Sequence, residues 1–168
     1  MEILIPGLIL VALMVYASTK IKKNAAAAYA EEKIDTAEFS ITKPDGFISP
    51  VEKSELAFAA YSKDFGHDES GDTRQAWVEL TVIENESLEK ARAIICERAI
   101  KVASEQRLVG GGLVIETKEA ENEVSIDCEY RVYEKNGKIY ELAVKVQPEF
   151  KGELQKNIDT LIASFEVR

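Results

Sequence analysis

The chain is poor in the residues that build catalytic and metal centres. Its 168 residues include one histidine, His67, and two cysteines, Cys96 and Cys128, with no Cys-x-x-Cys pair. A structural zinc site takes about four Cys or His ligands. At most three exist here, which excludes such a site. Positive charge is also scarce: 21 Lys and Arg stand against 30 Asp and Glu, a net of −9. Glu2, Lys20, Lys22 and Lys23 fall within the first 23 residues, so the remainder holds 18 basic and 29 acidic residues, a net of −11. A body of that sign repels a phosphate backbone, which argues against nucleic acid as a partner. There is no Gly/Ser-rich linker and no internal repeat. No catalytic signature stands out, and nothing in the sequence calls for a cofactor. Whether the two cysteines are free or paired is open at this level.

Charge is absent altogether from Ile3 to Thr19. As a helix these 17 residues would reach roughly 25 Å, at the short end for a hydrocarbon core of about 30 Å. The apolar positions Ile3, Leu4, Ile5, Leu8, Ile9, Leu10, Val11, Leu13, Met14, Val15 and Tyr16 form the predicted anchor. Lys20, Lys22 and Lys23 flank it, placed to snorkel to the headgroups and extend its reach. A secretory signal has a basic stretch before the apolar run; here the run follows Met1-Glu2 and the basic cluster comes after it. The segment therefore reads as a retained transmembrane anchor. Val15 and Ala17, small side chains before Ser18, leave cleavage as the alternative. Basic residues prefer the cytoplasmic side of a span, so the body is expected in the cytoplasm, with a periplasmic or lumenal body as the alternative. The division is an anchor over 1–23, a helical stalk over 24–35, where "NAAAAYAEEKI" favours helix, and an α+β domain over 36–168.

Within the body, residues 36–42, 55–62 and 74–84 read as strands, with the "KPDGF" turn after the first and a polar loop, "KDFGHDESGDT", before the third. The period then changes. Leu88, Ala91, Ile95, Ala99 and Val102 recur at spacings of three and four, widened by Ile94 and Ile100, which predicts a helix across 85–108. Asn85 or Ser87 would cap it, and the glycines at 110–112 would end it. Strands follow at 113–120, 123–134 and 138–147, the last two joined by an Asn-Gly hairpin. In 123–134 the apolar positions Val124, Ile126, Cys128, Tyr130 and Val132 alternate with polar ones. A final amphipathic helix carries Phe150, Leu154, Ile158, Leu161 and Ile162 on one side. The sum is an α+β body: an antiparallel sheet of about six strands packed with two helices, beyond one N-terminal transmembrane helix.

"FSITKPDGF" near the start of this body, "NGKIYELAVKV" late in it and "IDTLIASFEV" at its end resemble the PsbP-like, Mog-type α+β fold family over residues 36–168. The resemblance implies a sheet with helices on both faces, and binding or assembly roles more than catalysis. No ligand motif of the photosystem members matches here.

The polar loop holds the one metal candidate: Asp64, His67, Asp68, Glu69 and Asp72 offer hard oxygen donors and an imidazole. Its spacing fails the calcium-loop template, and acidic residues are ordinary in a solvated connection. Cys128 falls on an apolar strand face and Cys96 on or beside an apolar helix face, where thiols are inert. Trp77 reads as a core residue. The expected function is a membrane-anchored, non-enzymatic binding or assembly module, an accessory subunit or partner of a larger membrane complex. Its expected partners are membrane lipid through the first helix and a protein within that complex. The alternative is an exported soluble protein that binds a small ligand or metal; a hydrolase using the acidic loop is a weaker third reading.

Overall fold

The computed structural model describes residues 4–50, 55–62, 64–68, 71–121 and 124–168, with side chains described from Leu13 onward except over 64–73. Helix α1 runs Leu4–Ala28, followed by strands β1 (Glu32–Asp35), β2 (Phe39–Lys43), β3 (Phe58–Tyr61), β4 (Asp64–Asp68), β5 (Gly71–Arg74) and β6 (Ala76–Glu84). Helix α2 (Leu88–Arg98) leads into β7 (Lys101–Arg107), β8 (Leu113–Glu121), β9 (Val124–Lys135) and β10 (Lys138–Val146), and the chain closes with helix α3 (Lys151–Ser164) and β11 (Glu166–Val167).

The main sheet has six strands in the order β3-β6-β10-β9-β8-β7, all antiparallel neighbours. A smaller sheet, β1-β2-β11, brings the last strand against the second, with Val167 opposite Phe39. Each face of the main sheet has its own core. Tyr140, Leu142, Val144, Val78 and Leu80 meet Ile158 and Leu161 of α3 and Phe39, Ile41 and Phe47 from the smaller sheet and its turn. Ile115, Tyr130, Val132, Ile139 and Ala143 meet Ala91 and Ile95 of α2 on the other face. Helices on both faces explain why β10 is buried continuously from Ile139 to Val144. Trp77, partly buried, packs against the α2 core, as expected of it.

The late landmarks are physically grounded. Asn136 and Gly137 take φ of 55° and 74°, the two positive angles of a tight hairpin turn. Ser164 accepts a hydrogen bond from the Thr42 N–H (2.8 Å) and donates to Leu161 O, tying α3 to β2. Phe165 meets Tyr133 edge-on at 5.7 Å. Ser87 caps α2, accepting from the Lys90 N–H.

Five expectations are corrected. The helix predicted across 85–108 stops at Arg98, because Ala99 turns to extended backbone and Lys101–Arg107 pairs with β8 as a seven-residue edge strand. Ala99 and Val102 thus continue a helical spacing by coincidence. The glycines at 110–112 turn the β7–β8 hairpin instead of ending a helix, with Gly110 at φ 104° and Gly111 at φ 93°. The stretch 36–42 does not join the main sheet: it becomes β2 of the smaller one, and β7 supplies the sixth main strand. The helical stalk over 24–35 ends at Ala28, since Glu32–Asp35 finds β2 as an antiparallel partner. The polar loop before β6 is a β4–β5 hairpin.

The hairpin assignment yields a direct test. Gly110→Ala forces a Cβ into a backbone conformation that costs about 1–2 kcal/mol. Chemical denaturation should show that loss; an unchanged midpoint would contradict the positive-φ backbone of the β7–β8 turn at Gly110.

Candidate functional site

Among the described residues, no helix is long and apolar enough to cross a membrane, and no group of three or more His, Cys, Asp or Glu is arranged to hold a metal ion. Of the acidic-loop candidates, Asp64, His67, Asp68 and Asp72 lie on the β4–β5 hairpin, where His67 is opposite Asp72. Their side chains, and Glu69 entirely, lie outside the described residues, as do Ile3 and the side chains of Leu4, Ile5, Leu8, Ile9, Leu10 and Val11. Leu13, Met14, Val15 and Tyr16 are exposed on α1, as are Lys20, Lys22 and Lys23.

The two cysteines are free, Cys128 buried and Cys96 half-buried. Burial pushes the Cys128 thiol from the ordinary 9.0 up to about 12, with Glu119 adding to the effect. No thiolate nucleophile is therefore available there at neutral pH. An aromatic disulfide reagent should titrate Cys96 in the folded protein and Cys128 only after unfolding; fast reaction at both would contradict the burial. The raised value also sets a sign with pH. The stabilisation is fully present below about pH 9, where unfolded and folded thiols are both protonated, and declines as pH rises towards 12.

Next to Cys128 a polar chain crosses the α2 face. Tyr130 donates its hydroxyl to Glu119 Oε1 at 2.7 Å, and Thr117 donates to the same oxygen at 3.0 Å. Burial and the bond to Glu119 both push the Tyr130 phenol upward. Arg98 stacks over the Tyr130 ring and reaches Glu141 at 3.0 Å. These partners satisfy one another, which makes the chain a brace between α2 and the sheet.

A concave feature lies on the opposite face. The α3 helix covers β10 but not the outward positions of β8 and β9. Between them runs a groove of about 180 Å³. Its floor is Val144, Val146 and Ile158, and its walls carry Glu116, Lys118, Asp127, Glu129, Lys151 and Gln155. Asp127 is the hub: Lys118 Nζ lies 3.0 Å from one carboxylate oxygen and Lys151 Nζ 3.3 Å from the other. Partial burial works to raise the Asp127 pKa, and the two ammonium hydrogen bonds more than offset it, so its carboxyl sits below the usual range. Glu116 accepts from the Ser104 hydroxyl, and Glu129 pairs with Arg131 at 2.8 Å. The groove thus offers apolar contact at its floor and charge-assisted hydrogen bonding at its rim.

Local sequence pattern does not gather these residues into one site. The signal for them is period two: Glu116 and Lys118 on β8, and Asp127, Glu129 and Arg131 on β9, all point away from the α2 core. Two adjacent strands with charged outward positions mark a sheet face that no helix covers.

No protein-family model and no curated protein matches the sequence. Solved structures do match its fold. The Ran-binding protein Mog1p of Saccharomyces cerevisiae aligns with a TM-score of 0.54 at 11% identity, over 83% of this chain and 96% of its own. PsbP of the cyanobacterium Synechocystis gives 0.53 at 10% identity, over 83% and 94%. LpqN, involved in cell envelope biogenesis in Mycobacterium tuberculosis, gives 0.53 at 9% identity, over 82% and 90%. The chain therefore has the Mog1/PsbP-like α+β fold, and at these identities the likeness concerns the fold alone.

Proposed function

We propose that this protein is a membrane-tethered binding module: α1 holds it to lipid, and the body engages a protein partner through the groove beside α3. The observation that carries the tether is the exposure of α1. Leu13, Met14, Val15 and Tyr16 are consecutive, so they point in four directions about 100° apart, and all are 59–66% exposed. A helix that is apolar all round belongs in an apolar environment. The whole helix of 25 residues is roughly 37 Å long, and Lys20, Lys22 and Lys23 sit on its C-terminal part. Those lysines favour a cytoplasmic body. Protease digestion of intact vesicles tests this: a body shielded from a protease on the cytoplasmic side overturns the orientation.

The binding role draws on the groove's paired charges and apolar floor, and on a fold neighbour named for binding another protein, Ran, in the case of Mog1p. It is a non-enzymatic reading: the groove's ionised groups are engaged with each other, and the buried thiol is held neutral. Affinity isolation from its own cell in mild detergent tests it. The wild-type chain should bring down a stoichiometric partner, and Asp127→Lys should release it by setting three positive charges together. A lone monomer at native expression, or equal recovery with Asp127→Lys, counts against the module.

A further inference from the structure

Lys43 ends β2 and is only 1% exposed. A buried ammonium is costly unless each of its protons finds an acceptor. Here all three do: Nζ donates to Ala28 O and Ala30 O, each at 2.8 Å, and to Phe47 O at 3.1 Å. Glu32 adds a carboxylate oxygen at 3.9 Å. The carbonyl between them is held as well, since the Gly46 N–H donates to Tyr29 O at 2.8 Å. Gly46 reaches that position in a turn that needs φ of 85°. Three consecutive carbonyls at the exit of α1 are therefore fastened into one turn of the body.

The chemistry suits a helix end. The last carbonyls of an α-helix lack partners within it, and its C-terminus favours positive charge. Ala28 is the last residue of α1, and only three residues separate it from β1. Two of the three Lys43 bonds go to the helix exit; a lysine serving the turn alone would need only Phe47.

We propose that Lys43, with the Gly46 N–H, is a latch that joins α1 and the body into one rigid unit. The groove is then presented at a fixed angle to the helix axis, and the body does not swing on a hinge. The latch does not depend on the medium around α1, so it is measurable in detergent micelles whether or not the helix spans a bilayer.

The test is a spin-label distance distribution between Ile21→Cys on α1 and Val109→Cys at the β7–β8 turn, in a Cys96→Ser background and with the full chain. The unaltered latch should give one narrow distance. Inserting Gly-Ser-Gly-Ser between Ala30 and Glu31 lengthens the connection but leaves both Lys43 acceptors in place, so the distribution should stay narrow. The same insertion with Lys43→Met leaves only the Gly46 N–H on Tyr29 O to hold a connection of seven residues, whose reach is on the order of 15 Å, and the distribution should widen accordingly. A broad distribution in the unaltered chain overturns the latch. So does broadening by the insertion alone, which would assign the rigidity to short covalent length. A distribution still narrow in the insertion with Lys43→Met, with thermal melting confirming a folded body, overturns it too. If Lys43→Met fails to fold, the insertion with Lys43 intact decides by itself.

Discussion

Replacing Leu13 and Val15 together by arginine should move the chain from the membrane pellet to the soluble fraction after alkaline carbonate treatment. Both residues are large, apolar and exposed at about 60% on a helix whose described residues, Leu13 to Ala28, are all exposed. Each arginine placed well inside a span costs about 2.5–3.5 kcal/mol on insertion scales, so the pair removes about 5–7 kcal/mol. Because neither residue contributes to the two cores, the body should melt at an unchanged temperature. Release with an unchanged melt is the expected signature; retention of the double arginine chain in the pellet would assign membrane association to another part of the molecule.

The second large effect concerns α2. Ile95 is fully buried against β8, β9 and β10, whereas its neighbour Ile94 is 41% exposed and Ile100 is 73% exposed. Ile95→Ala should cost about 2–5 kcal/mol, the range for emptying a packed aliphatic site. Ile94→Ala and Ile100→Ala should each fall within about 0.5 kcal/mol of the wild type. Denaturant midpoints at equal slope measure all three. Comparable losses at the three positions would mean a wider helix face than the one seen here. The contrast matters because the spacing of apolar residues alone places all three on one broad stripe.

That stripe shows where sequence pattern carries and where it fails. Strands β8 and β9 and helix α3 are legible because one face of each is buried, so the apolar period survives in Ile126, Cys128, Tyr130 and Val132, or in Ile158 and Leu161. Strand β7 is exposed at every position, so it carries no period-two signal to set against the helical coincidence of Ala99 and Val102. Only β8, needing a partner on its open edge, decides the matter, and that is tertiary. The pairing of β11 with β2 joins chain segments more than a hundred residues apart, which no local window can register.

The candidate site divides the same way. The charges of β8 and β9 are visible as alternation, but the groove appears only when α3 settles over β10 and stops short of them. Lys43 leaves no such trace. In "TKPDG" it reads as an ordinary surface lysine beside a turn, and nothing in the linear sequence tells that the exit of α1 folds back onto it.

The most direct measurement of the tether is collisional relaxation of a nitroxide at Met14→Cys, in a Cys96→Ser background, with the chain reconstituted in vesicles. Molecular oxygen concentrates in hydrocarbon and a nickel chelate in water. A probe at Met14 should relax faster with oxygen than with nickel, and a second probe at Val109→Cys should show the reverse. Nickel relaxation at Met14 equal to that at Val109 would place α1 in water and contradict the tether.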